Sequence, residues 1–291
     1  MKKVRKAVIP VGGLGTRFLP VTKVVPKEML PIIDIPTLQY IIEEATASGI
    51  EEILLINSYG KQAVESYFMP NQYLEERLTK DGKIEDLKKL QEIDHLATIY
   101  FVYQDKPHGN GQAMMLAEEF VKNEPFAVMW GDDLIKSEVP VLKQLIDVYE
   151  KYDSNVVGVQ KVDHDQVSRY GIVSIVDEET GKMDRIVEKP PISEAPSDYA
   201  GLGRYIVKPE IFQELKNLYQ EKGEYYFTDA LANLIQYQDC YACKFEGTYY
   251  DIGHQLGYII ANIEYGLDRP DIKKGLEEYL KNKKNNLVEK K

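Results

Sequence analysis

At 291 residues the chain can bury a full core, as one large domain or one domain carrying a smaller subdomain, and its two cysteines, Cys240 and Cys243, rule out a disulfide scaffold. A net charge of −11 excludes the broad basic face that nonspecific nucleic-acid binding needs. No apolar run approaches the ~20 residues of a membrane span, and the start MKKVRKAVIPVGG has too short an apolar stretch for a signal peptide, so a cytoplasmic protein without nucleic-acid or membrane partners is expected.

Charge is uneven. Residues 1–30 hold seven basic side chains, Lys2, Lys3, Arg5, Lys6, Arg17, Lys23 and Lys27, against the single acid Glu28, which suits a localised site for a small polyanion.

The first predicted element is a buried strand over Lys6 to Val11, an apolar run ended by Gly12 and Gly13. It opens the segment VIPVGGLGTRFLP, which PKEMLP follows, covering Val8 to Pro31. Backbone N–H groups at Gly12, Gly13 and Gly15 lie open to phosphate oxygens, unless the loop is only a glycine turn. A Walker loop needs GK[ST] where Thr16 and Arg17 stand, and a dinucleotide GxGxxG fails at Phe18 and is blocked by Pro20. Arg17 brings a planar fork and Lys27 a point charge, on a segment stiffened by Pro20, Pro26 and Pro31. Two cations there neutralise charge building on a departing pyrophosphate.

A helix follows, with Leu38, Ile41, Ile42 and Ala45 at helical spacing, Pro36 at its start and Gly49 at its end. EEILLIN, TIYFVYQ and PFAVMW are further strands, with a helix over Gln112 to Phe120 between the last two. Strands separated by helices imply a mostly parallel sheet covered on both faces. Gly60 to His95 is a polar, helix-rich insertion with a turn at Asp81 and Gly82. The second half begins with a helix over Val139 to Tyr152 and the strand NVVGVQK. A hairpin in YGIVSIVDEETGKMDRIVEKP then turns at Glu178 to Gly181. YAGLGRYIV is a strand, helices lie near Glu210 to Tyr219 and Thr228 to Tyr237, and the charged tail is expected to fray from about Lys273.

Ligands in such sheets sit at the carboxyl ends of strands. There Gln104 offers an amide to a base edge and Gly109 a bare backbone for its ring, although a loop Gln is most often only solvated. Asp132 and Asp133, closing the fourth strand, could hold Mg²⁺ beside a triphosphate or cap the next helix. Glu188 and Lys189 could be a plain surface ion pair. CYACKFEG reads as a strand whose two cysteines face opposite sides, which makes the CxxC structural. Tyr225, Tyr226, Tyr249 and Tyr250 fit core or pocket wall, and His108 sits beside Gly109.

GxGTR, a short spacer and PKxMLP resemble the signature of the sugar nucleotidylyltransferases, and the wording is most similar to the bacterial branch that joins UTP to glucose 1-phosphate. The resemblance runs from Lys6 to about Leu267. It implies a Rossmann-like three-layer sandwich with a mostly parallel mixed sheet and an added β-hairpin sugar-binding subdomain. Residues 1–270 would form the nucleotidyltransferase domain, with 1–135 mainly for nucleotide and metal, 155–255 mainly for sugar phosphate, and 271–291 a charged tail. By resemblance Gln104 and Gly109 hold the base, Asp132 and Asp251 bind Mg²⁺ with Asp133 behind them, Glu188 takes the sugar hydroxyls and Lys189 grips the sugar phosphate. Gly171 and Gly203 would pack against the sugar ring, and the assembly would be a homo-oligomer, dimer or tetramer.

The absence of a Ser/His/Asp or Cys/His set fits this chemistry, because a sugar phosphate is already ionised near neutral pH, with a second pKa of about 6. It attacks the α-phosphorus in line and needs no general base. VMWGDDL, HGNGQA and GEYYFTDA lean instead toward the N-acetylglucosamine-1-phosphate uridylyltransferases, and thymidylyl transfer is a further alternative. A nucleotide-sugar-binding regulatory protein without turnover would have lost Arg17, Lys27, Asp132 or Lys189, and all four are present.

Overall fold

The structure is a computed structural model that describes residues 1–105, 109–218 and 224–288, the last four in backbone alone. His108 lies outside the described residues.

Chain order runs β1 (Lys6–Pro10), β2 (Pro31–Ile32), β3 (Ile35–Pro36), α1 (Thr37–Ala47), β4 (Glu52–Ser58), α2 (Gln62–Tyr67), α3 (Gln72–Lys80), α4 (Ile84–Asp94) and β5 (Thr98–Gln104). Next come α5 (Asn110–Met115), α6 (Glu118–Val121), β6 (Phe126–Met129), β7 (Asp133–Lys136), α7 (Val141–Tyr152), β8 (Asn155–Lys161), β9 (Gly171–Asp177) and β10 (Lys182–Glu188). The chain closes with β11 (Tyr199–Val207), α8 (Ile211–Leu218), α9 (Phe227–Leu234), β12 (Cys240–Lys244), β13 (Thr248–Asp251), α10 (Gln255–Asp268) and α11 (Lys273–Val288).

Nine strands form one sheet in the order β5-β4-β1-β6-β11-β8-β12-β10-β9. Their side chains alternate between two cores, as the twofold period of a strand requires. Ala7, Ile9, Ile53 and Leu55 meet α1 and α7 on one face, and Val8, Leu54, Ile56 and Val128 meet α5, α8 and α9 on the other. Cys243 belongs to the first core and Cys240 to the second, both as free thiols, which bears out the structural reading of CxxC.

The expectation of a mostly parallel sheet holds for β5, β4, β1 and β6, which run parallel with β1 central. From β11 onward the sheet is mixed, since β11 is antiparallel to both β6 and β8, and β10 is antiparallel to β12 and β9. The β9–β10 hairpin belongs to this same sheet. It also folds back on β11, which pairs with β9 over Tyr199–Gly201 and with β6 over Arg204–Val207. The change of partner falls at Leu202 and Gly203, where Gly203 takes φ +65° and the register with β8 shifts. A left-handed residue breaks a strand ladder, and glycine tolerates it without steric cost. The sheet therefore splits between the carboxyl end of β6 and the start of β9, and the split opens a cleft.

One expected helix and the expected frayed tail differ from the structure. The span Gln112 to Phe120 is two short helices, α5 and α6, interrupted at Leu116 and Ala117. The tail does not fray at Lys273. Lys, Glu and Leu are good helix formers, and Leu276 and Leu280, four residues apart, form a half-buried stripe on α11. Among the described residues no helix is long and apolar enough to cross a membrane.

Candidate active site

The strand order places β1 between β4 and β6, so the chain reverses its winding between β1 and β6. Crevices outside the carboxyl ends of strands at such a point are where ligands bind in open α/β sheets. Here those ends are the glycine loop after Pro10 and the segment Trp130 to Asp133.

The glycine loop passes through single 3₁₀ turns at Thr16–Phe18, Val21–Lys23 and Lys27–Met29. Gly15 has φ +63°, its carbonyl accepts from Thr22 Oγ1 at 2.8 Å, and a Cβ there would press on Thr22 and Lys27 at 3.1 Å. Gly13 lies against the Lys27 side chain and Gly12 against the amide of Gln104. Thr16 is exposed at the head of the first turn. Gly13 and Gly15 thus flank Lys27, whose Nζ lies 2.5 Å from Asp132 Oδ2. Burial works against the Lys27 ammonium, but Asp132 and Glu28 outweigh it and hold its pKa above the ordinary value. Burial likewise opposes the Asp132 carboxylate, and Lys27 keeps its pKa low. Beneath the loop, buried Lys61 donates to Val11 O at 2.6 Å and to Glu28 Oε2 at 2.9 Å, fixing the end of β1 to the Lys27 segment.

Past this pair the cleft is a cavity of about 830 Å³, lined on one side by Arg17, Asp132 and Asp251 and on the other by Gly171, Glu188 and Lys189. Asp251 ends β13, which pairs with β7 and brings it beside Asp133. A Cβ on Gly253 would stand 2.9 Å from Asp132 Oδ2, 3.3 Å from Asp251 Oδ1 and 3.6 Å from Arg17 Nη1, so both carboxylates and the guanidinium converge on one spot. Among the described residues no three or more His, Cys, Asp or Glu gather for a metal. Two carboxylates fit Mg²⁺, which takes one or two from the protein and completes its shell with phosphate and water.

Asp133 stands behind them. Its Oδ1 accepts from Tyr249 OH at 2.6 Å, and burial together with the Asp132 charge pushes its pKa up to about 7. On the opposite wall Gly171 pairs with Glu188 across the hairpin, and Glu188 Oε2 accepts from Thr228 Oγ1 at 2.7 Å. Lys189 Nζ lies 3.3 Å from Glu188 Oε1 and 4.9 Å from the centre of the Tyr226 ring.

Two expected residues fall elsewhere. Gly203 does not line the cavity, because its Cα backs directly onto the Asp133 carboxylate, and Gly201 forms the wall in its place. Gly109, at φ +90°, is packed against the backbone of Tyr225, where any Cβ would collide. Sequence reasoning missed Thr228, Arg169 and the bond from Tyr249 to Asp133. Thr228 stands in GEYYFTDA and Arg169 immediately before the hairpin segment YGIVSIV, but only the fold turns these side chains toward the cleft.

Residues 6–266 match the family model described as nucleotidyl transferase. A UTP–glucose-1-phosphate uridylyltransferase of Bacillus subtilis is 48% identical over 96% of this chain and 95% of its own length. The solved UTP-bound UGPase from Acinetobacter baumannii superposes with a TM-score of 0.87 at 34% identity, covering 95% of this chain and 98% of that one. A UDP-glucose pyrophosphorylase solved with UDP-glucose gives a TM-score of 0.82 at 36% identity over 91% of this chain and all 100% of its own.

Proposed function

The chain belongs to the nucleotidyl transferase family, and on that premise we propose that it transfers the uridylyl group of UTP to glucose 1-phosphate, giving UDP-glucose and pyrophosphate. The relatives named for UTP, glucose 1-phosphate and UDP-glucose support both substrates. The observation that carries the mechanism is the cleft with Arg17 and the Lys27-bonded Asp132 on one wall and Glu188 and Lys189 on the other.

In this reading the β strands and their helices form a Rossmann-like three-layer sandwich. Residues 1–135 hold the nucleotide, residues 155–255 the sugar phosphate, and the β9–β10 hairpin is the sugar wall. Gln104 faces the base, and the N–H groups of Gly12, Gly13, Gly15 and Thr16 hold phosphate oxygens. Glu188, already oriented by Thr228, accepts from sugar hydroxyls against Gly171, and Lys189 aligns the sugar phosphate for in-line attack. Arg17 and Lys27 stabilise the leaving pyrophosphate. Mg²⁺ on Asp132 and Asp251 would supply Lewis-acid neutralisation of the transferring phosphoryl oxygens. The dimer or tetramer of the same reading is supported by Leu256, Ile259 and Ile260, exposed apolar side chains on α10.

Pyrophosphate release with Mg²⁺, UTP or dTTP, and a panel of sugar 1-phosphates tests the assignment. The highest kcat/KM is expected for UTP with glucose 1-phosphate. Preference for N-acetylglucosamine 1-phosphate would overturn the sugar, preference for dTTP the base, and UDP-glucose binding without pyrophosphate exchange the catalytic role.

A further inference from the structure

The two carboxylates assigned to Mg²⁺ are each already paired with a cation, Lys27 for Asp132 and Arg169 for Asp251. Lys27 holds Asp132 on the nucleotide side. Arg169 Nη2 donates to Asp251 Oδ2 from the sugar side, while Asp251 Oδ1 points toward Gly253 and the Asp132 carboxylate. Arg169 ends the 3₁₀ segment His164–Arg169, two residues before Gly171 opens β9, and its side chain forms part of the cavity wall. Gln166 Oε1 accepts from Nη1 at 2.9 Å, and the guanidinium lies 5.5 Å from the centre of the Tyr170 ring, so two neighbours fix its reach.

A divalent cation on Asp251 draws on the same carboxylate charge as this guanidinium, so the two compete. Once released, the half-exposed guanidinium keeps its Gln166 bond and has its other N–H donors free of Asp251, the one carboxylate it pairs with among the described residues. Its planar fork matches a phosphate, and its place beside Gly171 selects the sugar phosphate over the triphosphate. We propose that Arg169 is a phosphate-binding residue for glucose 1-phosphate, held on Asp251 until the divalent cation takes that carboxylate. The inference rests on the assignment of Asp132 and Asp251 to the metal and of the hairpin wall to the sugar phosphate.

Arg169→Ala and Arg169→Lys test it by two independent readings. The first titrates Mn²⁺ into the substrate-free enzyme and follows free Mn²⁺ by electron paramagnetic resonance. Arg169→Ala should bind Mn²⁺ about twofold to fivefold more tightly, the scale of a half-exposed ion pair, and Arg169→Lys should stay near the parent. The second measures KM, which for glucose 1-phosphate should rise about tenfold in Arg169→Ala and less in Arg169→Lys, as expected for a charge-assisted phosphate contact, with the UTP KM unchanged. Mn²⁺ bound no more tightly by Arg169→Ala, or an unchanged KM for glucose 1-phosphate, overturns the proposal. Failure of the functional assignment would show separately, as a parent enzyme that makes no UDP-glucose, while the Mn²⁺ comparison needs no substrate.

Discussion

Lys189 adopts φ 44°, a left-handed conformation that a lysine rarely takes, between the last residue of β10 and Pro190. Such a residue costs on the order of 1–3 kcal/mol and persists where its surroundings over-determine it. Here its N–H donates to Tyr170 O at 2.9 Å, closing the hairpin end, and the side chain leaves β10 toward Tyr226 and the cavity. The ammonium is thus aimed into the cavity from the hairpin wall, the side proposed for the sugar phosphate. Lys189→Ala should raise the KM for glucose 1-phosphate at least about tenfold, as for a lost charge-assisted contact, and leave the UTP KM nearly unchanged. Steady-state kinetics with each substrate varied in turn checks this, and equal weakening of both would contradict the assigned side. Asp132, Glu188 and Lys189 were legible because each stands at a strand end inside a distinctive motif. Arg169 was not, since its partner Asp251 is 82 residues away and nothing local marks the pair.

At the level of elements, one buried ion pair organises the cleft from behind. Arg204 on β11 is fully buried and bonds both oxygens of Glu44 on α1, at 2.7 to 3.2 Å, while its Nη2 also reaches Asp133 O at 2.9 Å. Glu44 in turn accepts from Leu142 N at the start of α7, so α1, α7, β11 and the first residue of β7 meet at this ion pair. Removing one partner of a buried pair strands the other charge, which costs about 3–5 kcal/mol. Arg204→Ala should lose that much stability in urea unfolding, and Arg204→Met combined with Glu44→Gln should recover more than half of it, because no charge is left unpaired. An additive or larger loss in the double variant would show that the pair is not the source. Strand positions were readable from period-two alternation and helices from threefold and fourfold spacing, yet pairing was not. That β11 leaves β9 for β6 at Gly203 depends on contacts between Tyr199 and Val173 and between Arg204 and Met129. Only the glycines of YAGLGRY hinted at it, and they suggested a sugar contact where the structure has a ladder break against Asp133.

The whole molecule carries the two halves proposed for nucleotide and sugar phosphate on one sheet, and this decides how they should respond to ligand. Each core draws on both halves: Ile9 and Leu55 pack in the same cluster as Val156 and Ile206, and Val8 and Val128 in the same cluster as Ile186 and Leu231. The parts therefore lack separate cores, and residues 1–135 and 155–255 should unfold in one cooperative transition. UTP with Mg²⁺, bound on the β1 and β6 side, should then move the entire transition. At a ligand concentration about a hundred times the dissociation constant the gain is about 2.7 kcal/mol. For a chain of this size that raises Tm by about 4–5 °C. Chelating the Mg²⁺ should remove most of the shift, since Asp132 would then face the triphosphate without the divalent charge between them. Differential scanning calorimetry with UTP, with and without EDTA, reads both effects. Two transitions, of which UTP moves only one, would mean that the sugar wall folds independently of the nucleotide wall and that the shared cores do not couple them.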